Sequence, residues 1–202
     1  EYHQLTADPA ALASARRAAD WAVRQPLATN WNYNSFSVWL LAKAHAATGD
    51  AAYLAAAKKK ALLGVVPGQL TTGPRSGRWV DPHNARPAYH YIMLRALAQL
   101  VAVLPPADPD RPALLRSLQL GLVTRNAEFA TLGIMNREHA LETLLFVHQA
   151  FATEPGFLKA TRSTAALDVL AGAISEDARR QKLSVSPRAW GQFLAYAKTR
   201  RP

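Results

Sequence analysis

The residues that could carry chemistry concentrate in one stretch of the sequence, residues 77–97, GRWVDPHNARPAYHYIMLRAL. Guanidinium groups bind carboxylates, imidazole and phenol groups transfer protons, and indole rings stack on flat ligands. The first half of the stretch is dense in such groups, namely Arg78, Trp79, Asp81, His83, Asn84, Arg86, Tyr89 and His90. The second half continues into the most apolar helical pattern of the chain. This combination predicts a polar loop held in place by a buried helix, a common construction of binding and catalytic sites.

The composition predicts a globular, helical protein. The chain has 202 residues, of which 50% are hydrophobic and 19% are charged, so we expect a single helical domain over residues 1–202, itself a candidate part of a larger α/α toroid. The formal net charge of +10 suits an anionic partner, although a solvated basic surface is an alternative explanation. Since the chain contains no cysteine, disulfide and thiolate chemistry are excluded.

No stretch of about 18 residues is apolar enough to predict a membrane span. The chain opens with EYHQLTADP, which has neither an initiator methionine nor the pattern of a signal peptide. We therefore expect a processed or trimmed form that has lost an export signal. The expected location is periplasmic or secreted.

Apolar periodicity and capping residues predict an all-α fold. Asp8 and Asp50 are typical N-cap residues, Gly49 is typical of a helix C-terminus, and Asn34 and Asn136 are further candidate caps. One-sided and fully apolar helices alternate, which is typical of stacked antiparallel αα-hairpins and predicts a partial or compact α/α toroid. The predicted helices span residues 9–25, 35–48, 51–65, 88–104, 111–129, 137–152, 157–176 and 187 onward.

The alternation predicts that the connections 25–34, 66–87, 130–136 and 177–186 lie on one rim. Aromatic, amide and basic side chains segregate into these connections and the helix starts that follow them. The links on the opposite rim are short or rich in proline. The residues concerned are Trp31, Asn32, Tyr33, Asn34, Trp79, His83, Asn84, Arg86, Asn136, Arg137, His139, Arg179, Arg180 and Lys182.

Several of these residues allow two interpretations. Trp31, Tyr33 and Trp79 could stack on a sugar or a nucleobase, or they could cover the hydrophobic core. His90 could transfer protons, although a histidine on an apolar helix is more often a satisfied core residue. His139 and Glu142 have a spacing that could ligate a metal, but no second pair completes a ligand set. We therefore predict no metal and no cofactor.

Two segments of the sequence resemble the α/α-toroid polysaccharide lyases, the alginate lyase group in particular. The first is NWNYNSFSVWLLAKAHAATGD, residues 30–50, in which Asn32 falls on the asparagine of the family and Tyr33 stands where the family has its histidine. The second is ARPAYHYIMLRAL, residues 85–97, in which Arg86 and Tyr89 match the arginine and the catalytic tyrosine. The resemblance implies β-elimination on a uronate-containing polysaccharide.

The leading functional hypothesis is such an elimination on an acidic polysaccharide or oligosaccharide. Asn32 and Arg86 would neutralise the uronate carboxylate, Tyr89 or a histidine such as His90 would remove the C5 proton, and Tyr89 would protonate the leaving oxygen. The predicted substrate-binding residues are Trp31, Tyr33, Asn34, Trp79, His83, Asn84, Arg137 and His139.

Two other classes of function fit the same residues. A non-catalytic helical module would bind an anionic carbohydrate, or less favourably a nucleic acid, by stacking and charge. A glycoside hydrolase or sugar epimerase of the six-hairpin group would need carboxylates in the site, for which Asp81, Glu138 and Glu142 are the candidates. The exact substrate and the oligomeric state are left open by the sequence.

Overall fold

The chain folds into α-helices. The computed structural model describes residues 2–80, 86–134, 136–180, 182 and 186–199. Within these residues the only extended pairing is an isolated antiparallel bridge between Gln69 and Trp79. The helices are α1 (Tyr2–Thr6), α2 (Pro9–Arg24), α3 (Trp31–Thr48), α4 (Ala51–Gly64), α5 (Pro87–Val103), α6 (Arg111–Ala127), α7 (Phe129–Leu132), α8 (Arg137–Ala150), α9 (Pro155–Ala160), α10 (Ser163–Arg179) and α11 (Pro187–Thr199).

Local capping chemistry explains where several helices begin and end. The carboxylates of Asp8 and Asp50 accept hydrogen bonds from the backbone N–H groups of Ala10 and Ala52, each at 2.8 Å, as predicted for N-caps. Gly49 ends α3 with a φ of 72°, and its N–H bonds to the carbonyl of His45. Glycine adopts this left-handed conformation without the steric cost that a Cβ atom imposes.

The prediction that α3 begins at Ser35 with Asn34 as its cap was wrong. The helix begins at Trp31, and Asn34 lies buried within its first turn. Asn34 accepts a hydrogen bond from the N–H of Ala28 at 2.8 Å and donates to the carbonyls of Ala28 and Gly64, each at 2.9 Å. Because this amide satisfies backbone groups of two other segments, the polar segment folds into the helix instead of remaining a loop.

The prediction of one helix over residues 157–176 was also wrong, since α9 and α10 are separate helices. The break falls at Thr161 and Arg162, and Arg162 has a φ of 55°. The side chain of Asn126 donates to the carbonyl of Thr161 at 2.7 Å, and the Thr161 hydroxyl bonds to the carbonyl of Phe157 at 2.9 Å. These side-chain bonds hold the chain at the break, where the backbone bond from Thr161 to the carbonyl of Phe157 is also kept.

The three consecutive lysines of α4 differ in environment. Lys60 is buried and donates to the carbonyl of Gln25 at 2.7 Å, and burial lowers the pKa of its ammonium group. Lys58 pairs with Asp108 at 2.8 Å and with Asp110 at 2.7 Å. Lys59 remains exposed.

The helices form two layers of stacked antiparallel αα-hairpins. Helices α3, α5, α8 and α11 pack side by side in an inner row, and α2, α4, α6 and α10 pack along its outer side. Contacts between helix ends define the helix directions. The end of α6 lies beside the start of α5, and the start of α6 lies beside the end of α8, so α5 and α8 both run antiparallel to α6. The starts of α3 and α8 contact the segments that precede α5 and α11, so the four inner helices run in the same direction. The Arg95 guanidinium of α5 lies 3.5 Å from the ring centroid of Trp39 on α3, and it pairs with Glu142 on α8. The predicted all-α class is confirmed, whereas the curvature of a toroid stays a prediction.

The inner helices therefore begin at the same end of the array, which we call the N-terminal rim. It is the end at which α3, α5, α8 and α11 start, together with the described residues that precede these starts, in segments 25–30, 66–80, 128–134 and 177–180. None of the described helices combines the length and apolarity needed to cross a bilayer.

Candidate functional site

Trp31 joins two segments of the N-terminal rim. Its indole N–H donates to the carbonyl of Val80 at 2.8 Å, so the start of α3 is tied to the segment before α5. Gly68 lies directly against this ring, because a Cβ atom added there would come within 2.4 Å of the indole nitrogen. The half-buried ring therefore has its N–H engaged with the backbone, and it acts as a structural contact between segments predicted to share a rim.

Asn32 and Asn34, both predicted to contact a ligand, are buried. Asn34 is occupied by the backbone contacts described above. Asn32 is 2% exposed, and its side-chain oxygen has no hydrogen-bond partner among the described residues. A buried carbonyl oxygen without a partner is uncommon and marks a position that a ligand or a water molecule can satisfy.

Tyr33 and Phe36 form an exposed aromatic pair on α3. Tyr33 is 50% exposed and Phe36 is 46% exposed. Residues three apart on a helix lie on the same face, so the two rings share one exposed face of α3. Phe36 is exposed because the core side of α3 is formed by Asn34, Ser35, Val38 and Leu41. Phe36 is thus a surface aromatic residue that the sequence did not single out.

Trp79 belongs to the core. It is 1% exposed, and its indole N–H donates to the carbonyl of Val65 at 2.9 Å. Its ring packs against Gly121 of α6, where an added Cβ atom would lie 2.9 Å from the indole. Of the two interpretations of Trp79, the geometry fits the one in which the tryptophan covers the core and anchors the segment 66–80.

His90 is held by two neighbours in the first turns of α5. Its Nδ1 atom lies 3.4 Å from the guanidinium of Arg125, and its Nε2 atom lies 3.3 Å from the carbonyl of Trp79. A guanidinium only donates and a carbonyl only accepts, so this arrangement fits a neutral imidazole with its proton on Nε2. A base at this position would have to release Arg125, and the geometry therefore fits a structural histidine.

The side chains around His90 form a buried ionic cluster that sequence reasoning missed. Arg78 donates to the Glu128 carboxylate at 2.6 Å, and Arg125 pairs with the same carboxylate. Tyr91 lies nearby, and its hydroxyl has no partner of ordinary geometry among the described residues. Burial raises the pKa of this hydroxyl well above its ordinary value. Arg125 and Glu128 lie three residues apart at the end of α6. In the sequence, only this spacing indicates that the two side chains form an ion pair.

Arg86 and Tyr89 occupy the start of α5 at the N-terminal rim. Arg86 is exposed, Tyr89 is half-buried, and the N–H of Tyr89 bonds to the carbonyl of Arg86 at 3.0 Å. Arg86 is the residue before the first turn and Tyr89 lies within that turn, so a cationic group and a phenol are close in the sequence at the start of α5. His83 and Asn84, which were predicted to accompany them, lie outside the described residues, as does Asp81.

Arg137 and His139 do come together, in a polar cavity of about 570 Å³ at the N-terminal rim. Arg137 pairs with Asp177 of α10, and Glu138 accepts a hydrogen bond from the N–H of Ser186. These contacts tie the start of α8 to α10 and to the residue that precedes α11. The cavity is lined by Asn136, Arg137, Glu138, His139, Asp177 and Lys182.

The lining of the polar cavity does not include Asn32, Arg86, Tyr89 or His90, so the predicted catalytic residues and the cavity are separate features of the rim. In the described part of the chain, no three histidine or carboxylate side chains come together as metal ligands. Comparisons with protein-family models, curated proteins and solved structures gave no match, so the functional argument rests on the geometry of the rim.

Proposed function

We propose that this protein binds an acidic, uronate-containing polysaccharide or oligosaccharide along the N-terminal rim. The observation that carries the proposal is the parallel arrangement of the inner helices, which brings the positive ends of their dipoles to one rim. Exposed Arg86 and Lys182 add formal positive charge there, and the overall charge of +10 would attract a polyanion over a longer range.

The exposed pair Tyr33 and Phe36 supports a carbohydrate over a simple anion. The faces of aromatic rings stack on the apolar faces of sugar rings, and each ring loses little conformational entropy on binding. The polar cavity at Arg137, His139 and Lys182 would take carboxylate and hydroxyl groups of the same chain. Stacking and charge together suit a polymer that carries one carboxylate per sugar.

Binding is measured by calorimetry with oligosaccharides of alginate, glucuronan and a glycosaminoglycan, and with a neutral oligosaccharide as the control ligand. We expect Arg86→Ala and Tyr33→Ala each to weaken binding about tenfold, equivalent to about 1.4 kcal/mol. The matched control is Arg116→Ala, which removes an exposed arginine from α6, away from the inner-helix starts. Equal weakening by Arg116→Ala, or no binding of any acidic oligosaccharide, would refute a site on the rim.

Nucleic acid is the competing polyanion. Short single-stranded oligonucleotides, titrated at several salt concentrations, distinguish it because phosphate binding weakens steeply with salt. If oligonucleotides bind with a steep salt dependence and the sugars do not bind, the ligand of the rim is a nucleic acid and not a carbohydrate.

A second candidate function is β-elimination on the bound polymer, and it is favoured by the presence of Arg86 and Tyr89 together at the start of α5. Arg86 would bind the uronate carboxylate. Tyr89 would remove the C5 proton and then protonate the leaving oxygen. Formation of the unsaturated uronate product is followed by its ultraviolet absorbance. We expect Tyr89→Phe to lower the rate by at least about 100-fold while binding is retained. Absence of product from every acidic polymer that binds would leave binding as the function.

A further inference from the structure

A second cavity, of about 420 Å³, lies between α2 and α3 near the end opposite the N-terminal rim, and α1 covers it. It is lined by the first half of α2 and the second half of α3, together with Tyr2 and His3. We call it the apolar cavity. Its volume lies within the range of about 300–1,000 Å³ that is typical of small-molecule sites.

Small side chains on both helices create this space. Ala19 and Ala22, near the C-terminal end of α2, are fully buried, so this end of the helix packs closely. Leu12 and Ala15 continue the same stripe but are only partly buried. Alanines of α2 and α3 line both walls, and they are too short to fill the gap that remains. An unfilled space beside partly exposed apolar side chains favours an apolar ligand.

The wall contributed by α3 is aromatic and rigid. Trp39 lines the cavity, and the guanidinium of Arg95 lies 3.5 Å from its ring centroid, which fixes the position of the indole. Leu40 adds a partly buried aliphatic surface beside it. A preformed wall of this kind lowers the entropic cost of binding a flexible ligand.

Among the described residues, the charged side chains that line the cavity are all cationic. Arg16 enters from α2 and Lys43 from α3, and the described residues that line the cavity include no aspartate or glutamate. Cations on two facing walls of an apolar cavity complement a ligand with an apolar body and one anionic head group.

We infer that the apolar cavity binds a small amphipathic carboxylate, of the chemical class of a medium-chain fatty acid. Its alkyl chain would lie against Trp39, Leu40 and Leu12, and its carboxylate would pair with Lys43 and Arg16. This site is separate from the N-terminal rim, so neither inference depends on the other.

The test uses dodecanoate, titrated into the full chain below its micelle concentration and followed by calorimetry and tryptophan fluorescence. We expect saturable binding with a stoichiometry of one, at least about tenfold tighter than that of dodecanol or dodecyltrimethylammonium. Equal binding of the three amphiphiles, or binding without saturation, would overturn the inference, because neither outcome requires the two cations.

Variants locate the binding. Lys43→Met keeps an apolar stem of similar length and should weaken dodecanoate binding about tenfold, whereas Lys43→Arg should preserve it. The matched control is Lys59→Met on the exposed face of α4, which should bind as the original chain does. Ala15→Leu should fill the cavity and abolish binding. Circular dichroism and urea unfolding establish that each variant is folded, and unchanged affinity in folded Lys43→Met or Ala15→Leu would place the ligand elsewhere and refute the site.

Discussion

The N-terminal rim and the apolar cavity lie towards opposite ends of the helical array, and they are built from opposite kinds of residue. The rim is rich in polar and aromatic side chains, yet several of these are already occupied by the protein. Asn34, Trp79 and His90 are buried and bond to backbone or to charged neighbours. The cavity has walls rich in alanine, which no sequence motif marks as functional, and its space remains open.

The two regions show that a high density of polar residues in a sequence does not by itself mark a binding site. Inner helices that start inside a packed array bring unsatisfied backbone groups with them, and polar side chains are needed there to pair with those groups. Asn34 is the clearest case, since it bonds to Ala28 and to Gly64. The side chains exposed to solvent at the rim are instead those of residues such as Tyr33, Phe36 and Arg86.

Among the variants that test this comparison, Trp79→Ala is expected to have the largest effect on stability. Removing a fully buried tryptophan that covers the core should lower the free energy of unfolding by about 4 kcal/mol. Tyr33→Ala, at an exposed aromatic position of the same rim, should change it by no more than about 0.5 kcal/mol. Urea unfolding measures both. If Trp79→Ala lowered the free energy of unfolding only slightly, the interpretation of Trp79 as a ligand-stacking residue would be favoured instead.

An intermediate effect is expected for Asn34→Ala, with Asn32→Ala as its matched comparison. The loss of Asn34 leaves the backbone groups of Ala28 and Gly64 unpaired, which should cost about 3 kcal/mol. Asn32 has no partner for its side-chain oxygen among the described residues, so its replacement should cost about 1 kcal/mol or less. Urea midpoints of the two variants provide the test. Equal losses would contradict the distinction between an occupied and an unoccupied amide.

The smallest effect concerns an ion pair near the end of the molecule opposite the rim. Lys58 holds the pKa of Asp108 below its ordinary value, chiefly through their hydrogen bond. Because the pKa of the folded state is depressed, the stabilisation is present above the ordinary aspartate pKa and is lost as the pH falls through the folded value.

Lys58→Met should therefore lower the free energy of unfolding slightly near neutral pH. It should also make the decrease of this free energy at acidic pH less steep than in the original chain. Urea unfolding at neutral pH and at a series of acidic pH values measures this slope, and Lys59→Met is the control. The same acid dependence in both variants would mean that the pair with Asp108 does not contribute.

Features that depend on nearby residues were predictable from the sequence. Asp8 caps α2 and Asp50 caps α4 through backbone N–H groups two residues away, and Gly49 ends α3 through a conformation that its own lack of a Cβ atom permits. The continuous apolar pattern of α5 was enough to predict its burial, because a helix that is apolar all round must be surrounded by other elements. The all-α class and the alternation of layers follow from the same local patterns.

The tertiary structure alone decided which polar residues are used and where space remains. The start of α3 depends on a bond between Asn34 and Gly64, which are 30 residues apart, and the break before α10 depends on Asn126, which is 35 residues from Thr161. Phe36 is exposed and the alanines of α2 and α3 enclose a cavity because of how whole helices pack. The sequence thus determined the helices and their order, through contacts within a few residues, whereas the availability of each site residue was determined by partners distant in the chain.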